Sequence, residues 1–195
     1  FGNWIDNIDE LSKKFSQEEF PHIIIENFLN SNLVEKVYEK FPNFDNNWYT
    51  YNNPIEVKYA HNKIQLMDPI IQDIFSALAH PELIEKISKI AKIDNLEADP
   101  TLHGAGLHMH PKNGRLLMHL DYEKHPILEN KQRYLNVILY LTKDWKEEWG
   151  GHTELWNENM TECKIKSPVE FNTALIFKTT EKSWHGLPEP IKCPE

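Results

Sequence analysis

Apolar residues recur at helical spacing three times in the first half of the chain. Leu33, Val34, Val37, Tyr38 and Phe41 follow a polar Asn-Ser-Asn segment and stop at Pro42, which predicts a helix over 32–41. Asp68-Pro69 supplies an N-cap and a first-turn proline to a second helix, whose apolar face carries Ile70, Ile71, Ile74, Phe75 and Leu78. His80-Pro81 starts a third, with Leu83, Ile84, Ile87 and Ile90. Ahead of them, His22-Ile23-Ile24-Ile25 reads as a short buried strand. From about Leu96 the period changes, and short extended segments broken by Gly, Pro and Asn predict strands near 101–109, 115–120, 133–141, 152–156, 162–166, 173–178 and 183–185. Repeated short strands favour a β sandwich or barrel over a βαβ sheet. The expected fold is one domain over 1–195, mainly β with flanking helices (α+β), with mixed helical support from 1–95 and a β core from 96–195.

Composition narrows the partners. Of 195 residues, 40% are hydrophobic, enough for one core, and no stretch of 18 apolar residues exists to span a membrane. Thirty acidic against 21 basic residues give a net charge of −9, with no basic run to bind phosphates, so nucleic acid is excluded as a partner. Peptide, protein and small-molecule partners remain open. Two cysteines, Cys163 and Cys193, and no leader-like segment at the start point to a reducing, cytoplasmic setting.

The histidines carry the candidate chemistry. Five of ten, His103, His108, His110, His119 and His125, fall between positions 103 and 125. In His119-Leu120-Asp121 the first and third residues share a strand face, and His185, in Ser183-Trp184-His185-Gly186, is the third ligand from a distant strand. Two imidazoles and a carboxylate on one face of a metal suit non-haem Fe(II) chemistry. A His-x-Asp pair arises by chance about once in two chains of this composition, so the motif needs context. Of two His-x-Glu segments, His80-Pro81-Glu82 reads as a helix cap, whereas His152-Thr153-Glu154, on a strand, is a rival site.

The context is a series of ordered blocks. His110-Pro111-Lys112-Asn113-Gly114 leads into Arg115-Leu116-Leu117-Met118-His119-Leu120-Asp121, and Arg133-Tyr134-Leu135-Asn136 into Tyr140-Leu141-Thr142-Lys143-Asp144-Trp145. Trp149-Gly150-Gly151-His152-Thr153-Glu154-Leu155-Trp156, Lys166-Ser167-Pro168, Thr173-Ala174-Leu175-Ile176-Phe177 and Trp184-His185-Gly186-Leu187-Pro188 follow. Over about 100–190 this resembles the prolyl-4-hydroxylase-like Fe(II)/2-oxoglutarate-dependent dioxygenases. The resemblance implies a double-stranded β-helix (jelly-roll) core, with Fe(II) held by His119, Asp121 and His185. It also implies 2-oxoglutarate as cosubstrate, dioxygen as oxidant and ascorbate as reductant. Hydroxylation of an aliphatic C–H follows, on a prolyl residue of a peptide or protein, with release of succinate and CO2.

Tyr140 matches the family tyrosine that faces the cosubstrate; Asn136 is expected on the same face, and His110 stands where relatives have a tyrosine. The family anchors the far carboxylate with a basic residue beyond the distal histidine. Between His185 and Glu195 only Lys192 is basic, so that residue and the final strand are expected beyond Glu195, with Lys178 as a substitute anchor. Arg133 pairs either a substrate acid or a structural carboxylate. Two readings compete: a cupin-like metalloenzyme using His152 or Glu154 without 2-oxoglutarate, and a non-catalytic jelly-roll module whose Trp145, Trp149, Trp156 and Trp184 wall holds carbohydrate.

Overall fold

The computed structural model describes residues 1–17 and 20–194. In chain order the elements are α1 (Ile8–Gln17), β1 (His22–Ile25), α2 (Ser31–Glu39), β2 (Tyr49–Asn52), β3 (Glu56–His61), α3 (Pro69–Leu78) and α4 (Pro81–Ala91). There follow β4 (Leu107–Met109), β5 (Arg115–His119), β6 (Leu135–Tyr140), β7 (Glu154–Trp156), β8 (Cys163–Lys166), β9 (Thr173–Lys178) and β10 (His185–Leu187). Three helices begin where a side chain accepts from a free N–H of the first turn: Asn30 from Asn32, Asp68 from Ile70 and His80 from Glu82. No helix among the described residues is long and apolar enough to cross a membrane.

The strands form two antiparallel sheets, one in the order β1-β9-β6 and a larger one in the order β2-β3-β5-β10-β7-β8, with β4 added on β3. β9 lies between two cores. Its Ala174 and Ile176 join Ile23 and Ile25 of β1 against Phe15, Val34, Val37, Ile71, Ile74, Ile87 and Ile90 of the helices. Leu175 and Phe177 point the other way, onto Leu155 of the larger sheet, with Ile138, Tyr140 and Ile165 around them. Alternate strand residues face opposite sides, so a strand covered on both reads as one apolar run, as 174–177 does. Helices therefore cover one face of the small sheet and the larger sheet covers the other, which is the expected jelly-roll of mainly β structure with flanking helices.

Local chemistry shifts some boundaries. The N-terminal half adds α1 and the β2–β3 hairpin, which the pattern does not predict; all four residues of β2 are exposed, so no apolar face marks it. The expected strand at 101–109 starts only at Leu107. Leu102, Gly104 and Gly106 hold φ of 49°, 71° and 124°, and the Asp99 carboxylate accepts from the N–H groups of Thr101 and His103, which folds the segment into turns. The last strand runs over His185–Leu187 rather than 183–185, because the Ser183 hydroxyl and the Thr180 backbone close a turn ahead of it.

Asn172, immediately before β9, ties that strand to the connection between β1 and α2. Its Oδ1 accepts from Leu29 N at 2.8 Å, its Nδ2 donates to Leu29 O at 2.8 Å, and it holds φ of 60°. Asn172→Ala leaves two buried backbone groups unpaired and puts a β-carbon residue without a compensating side chain in the left-handed region. We expect a loss of about 2–4 kcal/mol in urea unfolding with an unchanged slope.

Candidate metal centre

His119 ends β5 and His185 begins β10, and the two are register partners on adjacent antiparallel strands. Their side chains therefore share a face, with ring centroids 4.4 Å apart. Each ring is held by a carbonyl two residues earlier: His119 Nδ1 lies 2.9 Å from Leu117 O, and His185 Nδ1 lies 2.8 Å from Ser183 O. A carbonyl only accepts, so Nδ1 carries the proton and each Nε2 presents a lone pair. Asp121 completes the group, with Oδ1 4.0 Å from His119 Nε2 and Oδ2 3.6 Å from His185 Nε2. The three ligand atoms lie within 4.8 Å of one another, in the one such group among the described residues.

Three lone pairs facing one another are favourable only with a cation or proton between them. The donor set, two imidazole nitrogens and one carboxylate, fits Fe(II) with open positions left for other ligands. Burial lowers the His185 pKa against the opposing pull of Asp121 and the Ser183 carbonyl, and so favours the neutral, ligating imidazole.

Around this group, Asp121 is gripped from two sides. Arg133 Nη1 lies 3.0 Å from Oδ1, and Asn136 Nδ2 donates to Oδ2 at 3.2 Å. The Tyr140 hydroxyl donates to Thr153 Oγ1 at 2.9 Å and shares a 2.5 Å bond with Ser167 Oγ, while burial pushes its pKa up. His110 follows β4, and continuing the β3–β4 register places it opposite Lys58. Its Nε2 is buried with no partner, an unusual state for a polar atom and one that a ligand at this position relieves.

The other sequence candidates lie elsewhere. His80 caps α4. His152 Nδ1 bonds Ser167 O at 2.7 Å, and the Glu154 carboxylate is committed to Trp156 Nε1 at 2.8 Å and Lys166 Nζ at 2.7 Å, so this pair gathers no third ligand. His103 and His125 join Asp99 and Tyr122, with His125 Nε2 3.1 Å from Asp99 Oδ2. Lys178 sits one residue past Phe177 and therefore on the opposite strand face from the inner core; Lys192 is exposed. Trp145 and Trp149 meet edge to face at 85°, which makes no flat platform for a sugar. Cys163 and Cys193 are free. Sequence reasoning did not identify Thr153 and Ser167 as partners of Tyr140. Both stand inside the quoted blocks, yet their contacts cross strands.

Burial depresses the His110 pKa from an ordinary 6.5 to about 4, with His108 and Lys58 adding to it. Between those values the unfolded chain binds the proton and the folded one does not. Stability is thus complete above pH 6.5 and is lost as pH falls toward 4. We expect His110→Gln to remove on the order of 2 kcal/mol of the difference between urea unfolding at pH 7.5 and at pH 4.5.

Residues 105–195 match the family model described as the 2OG-Fe(II) oxygenase superfamily. A prolyl-4-hydroxylase from Pseudomonas putida shares the fold at a TM-score of 0.68 and 13% identity, over 95% of this chain and 92% of its own. A Trichoplax adhaerens prolyl hydroxylase, solved with a hypoxia inducible factor oxygen degradation domain peptide fragment, shares it at 0.61 and 14%, over 98% and 89%. No curated protein sequence matches the chain. Segment 105–195, which carries the converging His119, Asp121 and His185, thus matches the 2OG-Fe(II) oxygenase superfamily, and the chain has the fold of the prolyl-4-hydroxylases.

Proposed function

We propose that His119, Asp121 and His185 hold the Fe(II), and that the enzyme hydroxylates a prolyl residue of a peptide or protein, with succinate and CO2 as the other products. The observation that carries this reading is the convergence of two Nε2 lone pairs and one carboxylate within 4.8 Å. Fe(II), 2-oxoglutarate and dioxygen supply the oxidising chemistry of the family, and the protein supplies binding, orientation and a dry pocket.

The chain's own residues divide that work. Leu117 O and Ser183 O hold both imidazoles in the ligating tautomer, and Asn136 and Arg133 orient the carboxylate. Leu155, Leu175 and Phe177, each 0% exposed, exclude water behind His185. On cosubstrate binding the Tyr140 hydroxyl, held beside Ser167, turns its proton from Thr153 Oγ1 to a cosubstrate carboxylate, and His110 and Asn136 are the further residues assigned to that ligand. The peptide in the Trichoplax adhaerens structure supports a polypeptide substrate for a chain of this fold.

Anaerobic Fe(II) with 2-oxoglutarate is expected to give the weak visible band of a chelated keto acid. Asp121→Ala is expected to abolish it and His152→Ala/Glu154→Ala to keep it; iron binding with no band in the parent chain refutes 2-oxoglutarate use. Tyr140→Phe is expected to raise the 2-oxoglutarate Kd, read by titrating this band, about tenfold, the scale of one charge-assisted hydrogen bond. Peptides carrying the substrate residue should gain one oxygen by mass in step with succinate release. Labelling on lysine or asparagine in place of proline would overturn the prolyl assignment.

A further inference from the structure

Arg133 is held on every side beside the site. Its Nη1 lies 3.0 Å from Asp121 Oδ1, and its Nη2 donates to His103 O at 2.9 Å and to Tyr122 Oη at 2.7 Å. The guanidinium carbon stands 4.3 Å over the Tyr122 ring. The backbone is pinned as well, N to Glu123 O and O to Thr179 Oγ1. Gly104, at φ 71°, leaves room for the fork, since a β-carbon there would come within 3.1 Å of Nη2. The side chains of Arg133 and Asp121 are only 15% and 11% exposed. A buried ion pair is costly to desolvate and adds little net stability, so a cradle this complete needs another explanation.

Counting charge gives one. Two neutral imidazoles, one carboxylate and one guanidinium sum to zero, where the three ligands alone carry −1. A divalent ion then leaves the centre at +2 instead of +1, and 2-oxoglutarate brings −2. We propose that Arg133 is a positioning residue that cancels the charge of Asp121 and thereby biases the metal-loaded centre toward a dianionic 2-oxo acid over water or a monoanion. The fork also pins Oδ1, so that Oδ2 stays turned toward His185. This rests on the reading of His119, Asp121 and His185 as ligands.

The test separates metal from keto-acid affinity. Co(II) is titrated into the metal-free protein by its visible absorbance, and 2-oxoglutarate is titrated anaerobically into the Fe(II) protein by its charge-transfer band. With Arg133→Met, Co(II) affinity is expected to hold or rise, while 2-oxoglutarate affinity falls about tenfold, the scale of one lost charge at partly buried range. The monoanion pyruvate is expected to lose less. Arg133→Lys, which keeps the charge without the fork, is expected to recover most of the 2-oxoglutarate affinity, and Arg133→Gln replaces Met if that variant fails to fold. Parallel loss of Co(II) and 2-oxoglutarate binding, no recovery by lysine, or a change in peptide KM alone each overturns the proposal. Asp121→Ala checks the underlying reading separately: Co(II) bound as tightly as in the parent chain would remove the ligand assignment whatever Arg133 does.

Discussion

Two backbone hydrogen bonds decide what the site is. With Leu117 O and Ser183 O taking the Nδ1 protons, His119 and His185 turn their unprotonated Nε2 atoms toward Asp121. Were either ring to swing away, Nε2 would be free to carry the proton and the pair would settle as an ordinary His–Asp hydrogen bond. Held as they are, the three groups repel one another unless a cation joins them. That arrangement is held by β5 and β10, whose pairing puts the two histidines side by side.

That pairing in turn rests on close packing. Gly186 follows His185, and a β-carbon there would meet Leu116 O at 2.7 Å and Leu117 O at 2.9 Å. Glycine lets β10 lie against β5 at the point where the register shifts between His185 and Leu187. Behind the histidines, β9 contributes Phe177, whose ring lies 4.8 Å from that of His185. The two-sided burial of β9 thus joins the helices, the small sheet and the strand that carries His185 into one packed unit, and fixes the position of His185 through the core.

Electrostatics then tunes what packing has placed. Asp121 is shared among two histidines, Arg133 and Asn136, and Arg133 extends the network to Tyr122 and the turn that Asp99 folds. His125 belongs to the same wall: its Nδ1 accepts from the N–H groups of Ile127 and Leu128, while Nε2 contacts Asp99. The segment between Asp121 and Arg133 is therefore anchored at its base by the residues that orient Asp121.

The sequence determined the helix starts, because Asn30, Asp68 and His80 act on neighbours within the same turn, and it determined β9, because an apolar run needs no partner to be read. The candidate triad was named from the sequence as well, since the spacing pairs His119 with Asp121 and the ordered blocks add His185, and the three converge in the fold. Tertiary structure decided the rest. The exposed β2 carries no apolar signal, the 101–106 turns depend on Asp99 reaching back to backbone groups, and the choice between a substrate acid and a structural partner for Arg133 turned on where Asp121 lies. The partners of the Tyr140 hydroxyl, Thr153 and Ser167, stand 13 and 27 residues away. Local propensity and period are written along the chain, whereas partners across strands depend on register, and register is set only when the cores on both sides of β9 close.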